Sequence, residues 1–305
     1  MKPPHSKEAW ELRSRELRSL LVDLMGGYPS RRGPLRPKVG KKQKKGGYST
    51  EEVSFETVPE VRISALVAKP SRKEPGRLPA IIILHGTGQD KGMMEDDHFA
   101  ELTRRGYLVI AIDQRHYTPR TLLSDMRLAQ EAVVRGYCLY RNLSWDVTRT
   151  VDYLLSRDDV DGKRIGCTGL SLGGQMTWLA AALDKRIKVA APACGVTTLE
   201  SMFREGTDVW SSIGAFIPGM LKHTDVDEVV SLIAPRPLII LSATNDEIFP
   251  LSGAKEAYKF ARAVYSLYDV EDRVRMFTDE RFHSYSNKMR IAAYDWFDVW
   301  LTPGR

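Results

Sequence analysis

The chain is short of cysteine, with 3 in 305 residues. Cys138, Cys167 and Cys194 are odd in number and far apart, which argues against a disulfide scaffold and against a close-spaced metal cluster. Long hydrophobic runs are missing too: none approaches the ~18 residues that a membrane span requires. No apolar signal region follows Met1-Lys2-Pro3-Pro4, so a cytoplasmic protein is expected. There is no internal repeat. No phosphate-binding glycine loop follows the first core strand, and no group of residues has metal-ligand spacing, so neither a cofactor nor a metal is expected.

What is present is a hydrophobic content of 43% in a chain of this length, ample for one large core. The net charge of +6 is unevenly placed. Residues 1–50 hold 13 Lys/Arg against 4 Asp/Glu, and the other 255 hold 32 against 35. The basic surplus therefore belongs to the N-terminal segment. It lacks the aromatic interleaving and the motifs of a nucleic-acid binder, so it reads as a solvated tether and no nucleic-acid partner is expected.

Residues 6–25 have helical periodicity, with Trp10, Leu17, Leu20, Leu21 and Leu24 on one face, and Gly26-Gly27 ends the helix. This helix and the Gly/Pro/Lys-rich linker after it make residues 1–49 an N-terminal extension. The helix has two surfaces to pack on: its own domain, or a second subunit in a homo-oligomer. From residue 50 to 305, strands alternate with helices. Strands are expected at 52–57 and 61–69, as an edge hairpin, then at 80–84, 108–112, 165–168, 187–191, 238–241 and 274–277. Helices are expected at 97–105, 121–135, 144–157, 175–183, 253–267 and 285–301. Residues 195–230 break the rhythm and read as an inserted cap. The alternation implies an α/β fold with a mostly parallel, doubly wound sheet, whose ligands bind beyond the carboxyl ends of the strands.

The chemistry centres on Gly169-Leu170-Ser171-Leu172-Gly173, a serine between glycines where a strand runs into a helix. Such a turn holds the hydroxyl exposed above the helix N-terminus. Glycine is needed beside it because a Cβ there would meet neighbouring backbone. Acyl transfer by serine also needs a base, an orienting acid and an anion hole. Asp246 follows the strand at 238–241, with Glu247 its nearest rival; Asp158, Asp159 and Asp161 precede their strand and so lie at the wrong end of the sheet. Among the 6 histidines, His283 follows the last strand and completes the order Ser…Asp…His. The anion hole is expected from the N–H groups of Leu172 and Thr87, with Gly86 as second choice, in His85-Gly86-Thr87-Gly88. His85 itself is expected to bond to loop backbone. His116, Tyr117, Trp145 and Trp210 are candidates for lining the pocket, the two tryptophans equally as core aromatics. Arg115 reads as a structural tie to loop carbonyls.

These segments, with Asp113-Gln114-Arg115 and Asp246-Glu247-Ile248-Phe249-Pro250, resemble the α/β-hydrolase superfamily over residues 50–303. Within it they are similar to the dienelactone hydrolase, acetyl xylan esterase and prolyl-oligopeptidase-like groups. The resemblance implies an α/β-hydrolase fold, Ser171 as nucleophile, His283 as general base and then acid, and Asp246 as its orienting carboxylate. Ser171 stands where dienelactone hydrolases of the narrow sense carry cysteine. Arg115-His116-Tyr117 stands where deacetylases usually have Arg-Gly-Gln. The expected activity is a cofactor-independent serine esterase, a carboxylesterase acting on a small-molecule ester through an acyl-enzyme. A small peptidase or amidase, and a non-catalytic binding module on the same fold, are the alternatives.

Overall fold

The computed structural model describes residues 3–72, 76–115, 125–207 and 216–302. Among them nine strands form one sheet: β1 (Lys38–Lys44), β2 (Tyr48–Val58), β3 (Val61–Pro70), β4 (Leu78–Leu84), β5 (Leu108–Ile112), β6 (Val160–Leu170), β7 (Val189–Ala193), β8 (Leu238–Ala243) and β9 (Val274–Asp279). Their order is β1-β2-β3-β5-β4-β6-β7-β8-β9. The pairings from β1 to β5 are antiparallel, and from β5 through β4 to β9 every pairing is parallel. The expected α/β-hydrolase architecture is therefore present, with its sheet mostly parallel.

β4 and β5 are buried along their whole length, as continuous apolar runs covered on both faces must be. Alternate residues of β4 enter different cores. Ile82 joins a core shared with α1 (Lys7–Leu24), α5 (Leu139–Leu155), α6 (Leu172–Leu183) and α9 (Leu251–Ser266). Ile81 and Ile83 join a second core, shared with α10 (Asn287–Leu301) and the short helix α3 (Ala100–Arg104). Between β4 and α3 come α2 (Lys91–Met94) and a π-helical turn, Glu95–Phe99. The helix α4 (Asp125–Val134) precedes α5. No helix among the described residues is long and apolar enough to cross a membrane.

Three expectations change. The lysine-rich stretch read as linker contains β1, the edge strand of the sheet, paired to β2 with a register shift between Val39 and Lys42. Six of its seven residues are exposed, and the lysines and the irregular register keep the open edge from pairing with another chain. α5 starts at Leu139 rather than 144, because Leu139, Tyr140 and Leu143 are buried and packing extends the helix. The segment expected to be a cap contains α7 (Leu199–Glu205) and α8 (Val226–Ser231). Every residue of α8 is buried, and it packs on α6 and α9 as part of the core. Residues 208–215 lie outside the described residues.

α1 is capped by Ser6, whose hydroxyl accepts the Ala9 N–H. Trp10, Leu17 and Leu21 are fully buried in the main core, each contributing about 1.5–3 kcal/mol. Trp10 meets Phe260 edge-on at 6.4 Å, and Arg13 forks onto Glu228 with both bonds at 2.7 Å. The apolar face of α1 is thus covered by its own domain.

Candidate active site

Ser171 is the single residue between β6 and α6. Its φ of 57° and ψ of −118° form a conformation that L-residues rarely adopt, at a cost of about 1–3 kcal/mol. The surrounding glycines let four elements meet backbone to backbone. A Cβ on Gly173 would strike the Leu84 carbonyl, and one on Gly174 would lie 2.5 Å from the Ala193 oxygen. The Ser171 N–H donates to that same Ala193 oxygen at 2.9 Å. The serine is therefore fixed where β4, β6 and β7 end.

Asp246 lies in the turn after β8 and is almost fully buried. Its Oδ1 accepts the N–H groups of Ile248 at 3.0 Å and Phe249 at 2.9 Å. Its two oxygens stand 3.0 and 2.9 Å from Nδ1 of His283, which follows β9. A carboxylate can only accept, so Nδ1 carries the proton and Nε2 is the basic nitrogen. Phe249 stacks on the imidazole with centroids 5.6 Å apart and planes 17° from parallel, which holds the ring's plane.

Ser171, His283, Thr87 and Leu172 line one cleft of about 280 Å³, together with Gln89, Gln175 and Phe249. Ser171 Oγ makes no hydrogen bond among the described residues. The N–H of Gly86 is already committed, donating to Gln89 Oε1 at 2.8 Å. The N–H groups of Thr87 and Leu172 have no acceptor among the described residues. That of Leu172 opens α6, where the first N–H groups have no helical partner. Beneath this loop His85 is buried as a strut, its Nδ1 on the Gly86 carbonyl at 2.7 Å and its Nε2 accepting the Gln114 N–H at 2.8 Å. Burial lowers its pKa and keeps the ring neutral.

Trp145 is corrected from pocket candidate to core residue. Its indole N–H donates to the Thr57 carbonyl at 2.8 Å, it packs on Tyr28 at 5.3 Å, and it does not line the serine cleft. Arg115 is a structural tie: Nε and Nη2 bond Asp146 at 2.5 and 2.8 Å, and Nη2 also reaches the Asn142 carbonyl. His116, Tyr117 and Trp210 lie outside the described residues.

Two neighbours of the site carry no sequence signal strong enough to single them out. Gln89 stands one position past the His85-to-Gly88 motif, and only the folded loop shows that it holds the Gly86 N–H. Cys194 follows β7, the same placement that singles out the other candidates, but a lone cysteine belongs to no motif. Its backbone has φ 44°, and its thiol donates to the Ser284 carbonyl at 3.3 Å. Burial, then the nearby Asp246 charge, pushes the thiol up to about 12, so it stays protonated. Cys194 Sγ, an Asp246 oxygen and a His283 ring nitrogen lie within 4.8 Å of one another, close enough to hold a metal ion. Each of the three already has a hydrogen-bond partner within the chain.

The acetyl xylan esterase (AXE1) family model matches residues 44–197, and the prolyl oligopeptidase family model matches residues 140–303. The chain belongs to the α/β-hydrolase superfamily, in its acetyl xylan esterase-like group. As a member of that group it is a carboxylic ester hydrolase. The Bacillus subtilis protein YtaP is 29% identical over 298 residues, covering 94% of this chain and 99% of that protein. Among solved structures, Methylesterase BT1017 superposes with a TM-score of 0.80 at 24% identity, over 97% of this chain and 65% of that one. A glucuronoyl esterase from Solibacter usitatus superposes with 0.76 at 17% identity, over 98% and 94%. At these identities the structural likeness establishes the shared fold. The esterase-like group thus supplies the reaction class, and the roles of individual residues rest on the cleft's own geometry.

Proposed function

We propose that Ser171, His283 and Asp246 hydrolyse a short acyl ester of a carbohydrate-type alcohol through an acyl-enzyme. The observation that carries this reading is one cleft lined by both Ser171 and His283, with Asp246 holding Nδ1 of that histidine. Nε2 of His283 takes the Ser171 proton as Oγ attacks the carbonyl carbon. The carbonyl oxygen gains negative charge and is held by the N–H groups of Leu172 and Thr87, each worth about 10²–10³ in turnover. His283 then returns the proton to the leaving alkoxide, and Asp246 stabilises the imidazolium throughout. Water repeats the sequence on the acyl-enzyme.

The size and lining of the cleft support a short acyl group. A cleft of about 280 Å³, at the small end for ligand sites, with Thr87, Gln89 and Gln175 beside Leu170, Leu172, Ile248 and Phe249 on its walls, suits an acetyl-sized group. The acetyl xylan esterase likeness points the same way. An ester panel from acetate to octanoate, with simple and sugar alcohols, tests the reading beside aminoacyl anilides. Acetates should be hydrolysed fastest and octanoates at least about tenfold more slowly, with anilides inert and Ser171→Ala inactive. Octanoate preferred over acetate would overturn the acyl assignment. A fully active Ser171→Ala variant would overturn the mechanism.

A further inference from the structure

A second cavity, of about 620 Å³, opens between α1 and the starts of β7 and β8. Ser171 follows the carboxyl end of β6, so the cavity lies at the opposite end of the sheet. Lys7, Arg15 and Arg18 reach it from α1, Lys185 and Lys188 precede β7, and Arg236 precedes β8. Glu11 is the one acidic residue on its wall among the described residues. The nearby acids are engaged elsewhere: Asp184 with Arg186 at 2.6 Å and Glu228 with Arg13 at 2.7 Å.

Arg18 and Arg236 are held by backbone carbonyls rather than by carboxylates. Arg18 donates to Ala182 at 2.9 Å and Leu232 at 2.7 Å, and Arg236 donates to Ile187 and Ala181, both at 2.6 Å. Some of these carbonyls close α6 and α8, whose dipoles offset part of the charge. Burial draws the guanidinium of Arg236 down to about 10, with Arg18 adding a smaller repulsion. Burial lowers Arg18 as well. A rigid positive floor thus sits behind a rim of four further cations.

We propose that this cleft binds a compact, multiply charged phosphate compound and that the ligand clamps α1 against the sheet. Its direct contacts come from Lys7, Arg15, Lys185 and Lys188, since most donors of the two arginines are already bonded. Lysine serves phosphate as a mobile point charge, and six cations converging on one cleft of about 620 Å³ suit a compact, multiply charged anion.

The test titrates the full chain with inorganic tripolyphosphate by calorimetry at constant ionic strength. Lys185→Glu/Lys188→Glu removes rim charge from the cleft. Lys41→Glu/Lys42→Glu reverses the same charge on the exposed edge strand β1. We expect one-to-one binding that raises the melting temperature, weakened at least about tenfold by the first variant and less than about twofold by the second. No binding, or equal weakening in both variants, would overturn the site. Capture by phosphatidylcholine vesicles carrying phosphatidic acid, without tripolyphosphate binding, would overturn the soluble ligand in favour of a lipid headgroup. Ester hydrolysis is measured in parallel, so loss of binding with activity intact separates this proposal from the active-site reading.

Discussion

Ser171→Gly is expected to abolish hydrolysis and yet make the protein more stable than Ser171→Ala. The serine's φ of 57° and ψ of −118° put its Cβ in a conformation costing about 1–3 kcal/mol. Alanine keeps the Cβ and therefore the cost, whereas glycine removes it. In an ordinary backbone position glycine is instead about 0.5–1 kcal/mol worse than alanine, through the entropy of the unfolded chain. At the middle of both ranges the strain, about 2 kcal/mol, outweighs the entropy, about 0.75 kcal/mol, so the net gain for glycine over alanine is about 1 kcal/mol. Unfolding entropy of about 2.1 cal/mol/K per residue, over 305 residues, converts this to a rise of about 1–3 °C in melting temperature. Both variants lack the hydroxyl, so its own contacts cancel in the comparison. Calorimetry and urea titration of the two proteins, side by side, read the difference. A glycine variant that melts at or below the alanine variant would refute the claim that the turn is strained.

Two further outcomes follow from buried charge. Arg115→Ala leaves Asp146, which is almost wholly buried, without its cation, and should cost about 3–5 kcal/mol in urea unfolding; Arg115→Met with Asp146→Leu should recover most of that, and failure to recover would show that the pair does more than satisfy itself. Asp227 is pushed up to about 6 by burial, with Asp225 and Glu228 adding repulsion. Its folded value stands above the ordinary 3.8, so protonation favours the folded state, and its contribution is lost as pH rises from about 4 through 6. Asp227→Asn should therefore raise the melting temperature at pH 7.5 and leave it nearly unchanged at pH 4; equal shifts at both values would contradict this.

Much of the fold is legible in the sequence because its signals are local. The apolar runs at 80–84 and 108–112 announce buried parallel strands, and both are wholly buried. The glycines around Ser171 announce a turn at which backbones touch, and a Cβ at Gly173 or Gly174 would indeed meet backbone oxygen. Where distant partners override local signals, sequence patterns mislead. The run Lys41-Lys42-Gln43-Lys44 carries no strand periodicity, and it becomes a strand only because β2 offers an unpaired edge. Residues 139–143 carry no clear helical pattern, and they join α5 because the core has room for Leu139, Tyr140 and Leu143. Val226, Val229 and Val230 look like part of an irregular insertion until α6 and α9 are seen beneath them.

By itself the sequence determined the class of fold, the strained turn at Ser171 and the chain order of the residues proposed to carry the chemistry. Periodicity, glycine geometry and the position of a residue just after a strand are all properties of short segments, and they survive without coordinates. The tertiary structure alone decided which groups face one another. It joined Asp246 to His283, engaged the Gly86 N–H with Gln89, moved Trp145 into the core and gathered six cations between α1 and the sheet. Those outcomes depend on contacts between residues that are mostly tens to hundreds of positions apart, and no local pattern encodes the distance at which two distant side chains finally meet.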